Sequence, residues 1–362
     1  MFAKKNLVAA AALLALVGAA QAQSSVKLYG YVEAAFGSFK AVGDESAVTK
    51  VQSGDMMTSF IGFSGVEDLG GGLKAEFALE SFLGVDNGSN VPNQATKWWG
   101  RASWVGLSGG FGRVILGQYD APLFVAGLSY NPFGSSMTYS PTMRHFYDLG
   151  STSGSATTNL SLTDTGSINS VTYETPNIAG LTATLQYAAK ESASSTDDNF
   201  FALGVAYNAG PLSVMGTYTS GGKSSDTNGG SLAYPNPFKA ANLNASYDFG
   251  VLKAFGQYTR FMYDSTSLQT VGTGTGTLTG IEKANVWQLG VSVPVTASGS
   301  VLASYGAAKF KAAADDATSR IFSLGYDHAL SKRTSAYAAV STEKLTDNKG
   351  GRAIAVGVKH SF

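Results

Sequence analysis

Arg352-Ala-Ile-Ala-Val-Gly-Val-Lys-His-Ser-Phe362 is a strand written out to the last residue of the sequence. Ile354, Val356, Val358, His360 and Phe362 share one face, and Ala353, Ala355, Gly357, Lys359 and Ser361 share the other. A soluble domain ordinarily finishes on a polar, frayed tail. A strand that stops on an aromatic reads as one with something to close. The pattern suggests a membrane β-barrel, with Ile354, Val356, Val358 and Phe362 towards lipid and Lys359 towards the interior near the rim.

The same period-2 alternation runs through the whole chain. Val26, Leu28, Gly30, Val32, Ala34 and Phe36 alternate with Lys27, Tyr29, Tyr31 and Glu33. Leu73, Ala75, Phe77 and Leu79 alternate with Lys74, Glu76 and Glu80. Reading strands between turn signals gives sixteen: 26–37, 58–65, 73–82, 97–107, 113–119, 167–175, 180–190, 199–208, 211–219, 239–248, 251–262, 283–293, 299–310, 318–327, 333–343 and 352–362. Most have the roughly ten residues that a tilted strand needs to cross a bilayer. Short turns alternate with long polar loops, and the strand number is even, as in outer-membrane barrels. A β-sandwich has no reason to alternate its loops in this way.

Composition agrees. Charged residues make up 14% of the chain, against roughly 25% in soluble domains. Lys+Arg and Asp+Glu are 25 each, so there is no basic field for nucleic acid, and with Cys absent there is no disulfide framework or thiolate site. Lys4 and Lys5, the apolar run Leu7 to Val17 and Ala20-Gln21-Ala22 follow the order of a signal peptide. This places a cleavable signal over 1–22 and the barrel over 23–362. No later run is long and apolar enough for a membrane helix, which leaves a closed barrel as the spanning structure whose backbone groups are all satisfied.

Tyr29, Tyr31, Phe36, Tyr187, Tyr207, Tyr218, Tyr247, Tyr258, Tyr263, Tyr305, Tyr326 and Tyr337 lie near strand ends and read as interfacial girdles. The segment 120–166 is too long for a simple loop. Its start, Leu123, Phe124, Val125 and Leu128, is apolar, so it is expected to fold into the barrel and narrow the lumen.

Ser25-Val26-Lys27-Leu28-Tyr29-Gly30, Gly65-Val66-Glu67-Asp68-Leu69-Gly70-Gly71-Gly72-Leu73-Lys74-Ala75 and Trp104-Val105-Gly106-Leu107 with Phe111-Gly112 carry a family resemblance. So do Asn169-Ser170-Val171-Thr172-Tyr173, Ala329-Leu330-Ser331-Lys332-Arg333-Thr334 and Val358-Lys359-His360-Ser361-Phe362. Together and in order, over the whole chain, they resemble the Gram-negative trimeric porins of the neisserial and beta-proteobacterial type. The resemblance implies a sixteen-stranded barrel in the outer membrane, a homotrimer and an inward third loop. It also implies passive diffusion of small hydrophilic solutes, and a terminal Phe362 strand read by the barrel assembly machinery. Outer-membrane lipid and lipopolysaccharide are the surroundings it implies, with no cofactor.

The chain departs from that pattern in its basic residues. Phe60 and Ser64 stand where the family typically carries arginine or lysine, and Gly117-Gln118-Tyr119 replaces a glycine-arginine-glutamine before the third loop. Arg101 matches a family basic position. An anion-attracting ladder is thereby thinned. The expected pore-lining set is Phe60, Ser64, Lys74, Glu76, Glu80, Arg101, Gln118 and Asp120, with Arg101 and Asp120 as the constriction pair. Lys27, Glu33, Arg113, Lys253 and Arg320 are further lumen candidates, and Phe60 offers an apolar surface to partly apolar solutes.

An enzyme is the competing class. His145, His328 and His360 fall in the long loop, a short turn and the last strand, with no metal-ligand spacing and no HExxH or GxSxG motif. The reading is therefore a channel and not an enzyme. The alternatives are a structural or adhesive barrel without an open pore, or a substrate-preferring porin.

Overall fold

The computed structural model describes residues 25–89, 98–147, 166–190, 199–221, 238–264, 269–273, 276–313 and 315–362. The expected signal peptide and the 148–165 part of the third long loop lie outside these residues. The chain runs β1 (Ser25–Lys40), β2 (Val48–Ser53), β3 (Phe60–Gly70), β4 (Leu73–Phe82), β5 (Ala102–Gly109) and β6 (Gly112–Asp120). Two short helices follow, α1 (Pro122–Ser129) and α2 (Pro141–Tyr147). Then come β7 (Gly166–Glu174), β8 (Leu181–Ala188), β9 (Phe200–Ala209), β10 (Leu212–Gly221), β11 (Phe238–Asp248) and β12 (Lys253–Tyr263). The last six are β13 (Gln269–Thr273), β14 (Gly276–Pro294), β15 (Gly299–Ala312), β16 (Ala317–Ala329), β17 (Thr334–Leu345) and β18 (Gly351–Ser361).

Sixteen of these strands form one closed antiparallel ring, and β2 and β13 are additions within long loops. Closure is made by the terminal stretch from Arg352 to Phe362. β18 pairs with β1 from Tyr31↔Ser361 to Lys40↔Arg352, and the Phe362 amide donates to the Gly30 carbonyl at 3.1 Å. No ring edge is left to template aggregation.

The two faces of the ring are chemically inverted relative to a soluble protein. Apolar side chains point out: Leu243, Leu289, Ile354, Val356 and Val358 are exposed. Polar ones point in: Asn244, Thr259, Gln288 and Ser323 are buried. Outward apolar and inward polar alternation is what lipid outside and water inside demand.

Several aromatics read as girdle residues face inward instead. Tyr29 donates to Glu80 and Tyr337 to Glu33, while Tyr263 is buried within the interior cluster. Tyr31 shares their inward parity on β1, two residues from buried Glu33. The Tyr29 and Tyr337 hydroxyls satisfy lumen carboxylates, which outweighs the pull of the interface. Phe36, Tyr187, Tyr207, Tyr218, Tyr247, Tyr258 and Tyr305 do point outward and are exposed.

Candidate functional site

The described part of the third long loop folds into the barrel, and its path decides where water can run. Pro122 and Pro141 each open a helix, a position that suits proline because the first amides of a helix lack partners. Leu123, Phe124, Met143 and Phe146 pack with Phe261, Phe310 and Val286 of the wall into an apolar core inside the barrel. Phe133 and Tyr139 pack with Leu302, Tyr337 and Ala355. The Pro132 ring lies so close to β14 that a Cβ on Gly290 would stand 2.6 Å from it.

Polar groups fix the loop's register. Gln257 donates to the Gly127 carbonyl at 3.0 Å, and the Thr142 amide donates to Gln288 at 2.6 Å. Arg144 Nε meets Glu343 at 2.6 Å, with both side chains nearly buried. Ser319 Oγ donates to the other oxygen of Glu343 at 3.3 Å and lies 3.0 Å from His145 Nε2. In that chain His145 carries its proton on Nε2. Burial, then the neighbouring Arg144 charge, holds the imidazole down at about 3, so it is neutral. The first long loop is tied in as well: Thr138 Oγ1 donates to Asp55 at 3.0 Å and Ser136 to the Asp55 carbonyl. Burial pushes the Asp55 carboxyl up to about 6.

The loop thus covers the inner wall from β9 round to β18 and β1. The wall of β3–β6 remains open, with a recess of about 290 Å³ against it. Ser64, Glu76, Glu80, Arg101 and Asp120 all line this recess. Strand pairing places them there: Ser64 lies beside Ala78, and Glu80 beside Ala102.

Each arginine in the recess is held on its edge by a carboxylate and on its face by a ring. Arg101 pairs with Glu80, which also accepts from Tyr29. The Phe60 ring lies 4.2 Å from the Arg101 guanidinium carbon. Arg113 pairs with Glu76 at 2.9 Å and Glu174 at 3.4 Å, and stacks 4.5 Å from Trp104. Tyr119 donates to Glu174 at 2.8 Å and Ser108 to Glu76 at 2.6 Å.

The sequence-predicted set is therefore divided. Phe60, Ser64, Glu76, Glu80, Arg101 and Asp120 converge, although the partner of Arg101 is Glu80 and not Asp120. Lys74 keeps the inward parity but sits opposite Asp68 and Ser108, towards the short-turn rim. Gln118 is a correction. It pairs with Ser103 on the face alternate to Tyr119 and donates to the Gly100 carbonyl at 2.6 Å. The alternation that turns Arg113, Ile115 and Tyr119 inward turns Gln118 outward. Arg320 is another correction: it is exposed between buried Ser319 and Ile321, on the outward face. The Trp104–Arg113–Tyr119–Glu174 group was not assembled from sequence. Its signal was the inward alternation of Arg113, Ile115, Gly117 and Tyr119.

Residues 9–349 match the family model described as Gram-negative porin. The chain is 35% identical to outer membrane porin protein 32 of Delftia acidovorans, over 95% of this chain and 90% of that one. It is 30% identical to an outer membrane porin of Bordetella pertussis, over 99% and 100%. Among solved structures, an anion-selective porin from Comamonas acidovorans is similar at a TM-score of 0.73 and 29% identity, covering 94% of this chain and all of that one. Salmonella typhi OmpF shares the fold, with a TM-score of 0.68 at 16% identity over 93% of this chain and 97% of that one.

Proposed function

This chain belongs to the Gram-negative porin family, and from that premise we propose that its water path runs along the β3–β6 wall, with selectivity set in the recess there. As an outer-membrane porin, the protein is a channel for passive diffusion of small hydrophilic solutes and ions. Porins are channels and do no chemistry. What distinguishes one from another is the charge and width of the path.

The observation that carries the reading is the division of the inner wall. Loop three covers one side with an apolar core. The other side keeps Ser64, Glu76, Glu80, Arg101 and Asp120 around an open recess. Within the recess, Glu76, Glu80 and Asp120 outnumber Arg101 and Arg113. Both guanidiniums are already held by carboxylates and rings, so an anion must displace a partner to reach either one. An ion passing at about 4 Å feels roughly 1 kcal/mol per unpaired charge in bulk-like water and several at lower effective dielectric. The net field therefore favours cations. This departs from the anion-selective porin of Comamonas acidovorans.

Phe60 takes part by holding the Arg101 guanidinium flat against the wall, and its ring edge offers partly apolar solutes a surface. A homotrimer, the barrel assembly machinery acting on the Phe362 strand, lipopolysaccharide as a lipid neighbour, and removal of residues 1–22 on export complete the proposal. They are supported by the family, and the role of the Phe362 strand also by its pairing with β1.

The test is a planar bilayer with a tenfold KCl gradient. Conductance steps in threes and a reversal potential of cation-selective sign are expected. Phe60→Arg should move the potential towards anions. A silent protein would overturn the channel reading. Conductance with an anion-selective potential would overturn the selectivity reading alone.

A further inference from the structure

Arginine and lysine are held differently on the open wall. Lys27 lies beside Ser64 and Lys74 opposite Asp68. Among the described residues, neither lysine makes an ion pair or lies over a ring. Arg101 and Arg113 each do both. The rings beneath them are braced. Tyr29 meets Phe60 edge-on with centroids 6.0 Å apart, and Tyr119 meets Trp104 edge-on at 5.7 Å. Each arginine therefore sits in a fixed slot with a carboxylate at its edge and a ring against its face. A planar guanidinium can donate along its edge and lie flat on a ring at once, whereas a tetrahedral ammonium cannot.

The two slots are unequal. Arg113 has two carboxylates, Glu76 and Glu174, and two rings, Trp104 and Tyr119. Among the described residues, the Arg101 side chain has one carboxylate, Glu80, and one ring, Phe60. Arg101 is thus the more easily displaced, and Asp120 lines the same recess as a second carboxylate for it to meet. Glu76 and Glu80 are four residues apart on β4, about 14 Å along the strand. The inward side chain between them is the small Ala78, with Ser64 beside it. The recess opens over these two residues, and its volume of about 290 Å³ lies at the low end for sites that hold small molecules.

We propose that the recess binds the guanidinium or amidinium group of small solutes, which enters by exchange with Arg101. The inference rests on the cation-favouring reading of this wall and adds the shape of the cation. The planar group of the solute takes the edge of Glu80 and the face of Phe60, while Arg101 turns to Asp120. The exchange leaves no carboxylate without a cation. The rest of the solute lies over Ala78 and Ser64, towards Glu76. An ammonium solute gains the edge of Glu80 but not the ring, and it must still displace a guanidinium that has both. Because one guanidinium replaces another, binding stays weak enough for release, as conduction requires. Glu76, further along the same strand, offers the departing group its next carboxylate.

The test uses the full-length mature protein in a planar bilayer with equal KCl on both sides, and benzamidine or benzylamine as the blocker. The two carry the same charge on the same ring and differ in a planar against a tetrahedral cation. Benzamidine is expected to interrupt the wild-type current at about fivefold lower concentration than benzylamine, the worth of one exposed cation–π contact. Phe60→Leu should bring the two half-blocking concentrations together, and Glu80→Gln should weaken both. Arg101→Lys keeps the wall charge but seats poorly in the slot. Benzamidine should therefore block that variant at about fivefold lower concentration than the wild type, with benzylamine block and the reversal potential in a KCl gradient unchanged. Equal block of the wild type by the two cations would overturn the proposal. So would a benzamidine block that Arg101→Lys leaves unchanged, or a difference that survives Phe60→Leu. Conductance steps of wild-type size in each variant report folding. An anion-selective reversal potential with no block by either cation counts against the cation reading of the wall, whereas cation selectivity with equal block counts against the guanidinium site alone.

Discussion

Arg144→Ala is the perturbation that most directly loads the inward fold of loop three. Arg144 Nε sits 2.6 Å from Glu343, and the two side chains are 10% and 5% exposed. Removing the guanidinium leaves the Glu343 carboxylate with one hydroxyl donor, Ser319 at 3.3 Å. Breaking a buried pair from one side costs about 3–5 kcal/mol. The ring ladder does not depend on this pair, so the loss falls on the docking of α2 and not on the barrel. At about 1.4 kcal/mol per factor of ten, the undocked population rises at least a hundredfold. Open-channel noise and protease cleavage within loop three should both increase, with the detergent-resistant barrel unchanged. Arg144→Met combined with Glu343→Leu should restore a quiet, protected channel, because an apolar pair can replace a buried ion pair at little loss. A single variant as quiet and protected as the wild type would refute this reasoning, as would a double variant no better than the single.

Acidity should release the same loop. The His145 imidazole is held at about 3 instead of 6.5, so the docking it supports is whole above pH 6.5 and is lost as pH falls towards 3. Channel noise should grow from pH 6 to pH 4, and His145→Gln should flatten that rise. Asp55 acts in the opposite sense: with its carboxyl raised from 3.8 to about 6, its contribution is whole below 3.8 and is lost as pH rises through 6, by about 3 kcal/mol. Asp55→Asn should remove that loss, seen as equal protease resistance of the first long loop at pH 5 and pH 8. Gly30→Val would place a Cβ 2.5 Å from the Phe60 carbonyl and from the Phe362 ring. It should lower barrel stability by about 1–3 kcal/mol in a urea melt, whereas Gly256→Ala, with its nearest contact at 3.5 Å, should be tolerated. Leu243→Arg, at the centre of β11 and 61% exposed, should destabilise the protein in bilayers by about 2–4 kcal/mol.

The ring was legible because period 2 is a local property. A strand announces its two faces from its own residues, and the sixteen expected segments each fall on a ring strand. Which face of a tyrosine wins is less local. Tyr29 and Tyr337 alternate as any girdle residue does, but they turn inward because Glu80 and Glu33 wait there on other strands. The site was half legible for the same reason. Alternation put Phe60, Ser64, Glu76 and Glu80 inside, yet it could not pair Arg113 with Glu174 or Arg144 with Glu343, which are 61 and 199 residues apart. Gln118 was misplaced because the family pattern nominated it, whereas plain alternation from Arg113 to Tyr119 leaves it on the outward face. The helices of loop three left a mark that was not used: Pro122 and Pro141, each followed by residues able to continue a turn.

The open β3–β6 wall is tested most directly by thiol access, since the chain has no cysteine of its own. Ser64→Cys lines the recess, while Ser323→Cys lies buried on the covered side. A charged methanethiosulfonate added to single channels should cut the conductance of Ser64→Cys in three successive steps and leave Ser323→Cys unchanged. Equal block at both positions, or block at Ser323 alone, would contradict a water path along this wall.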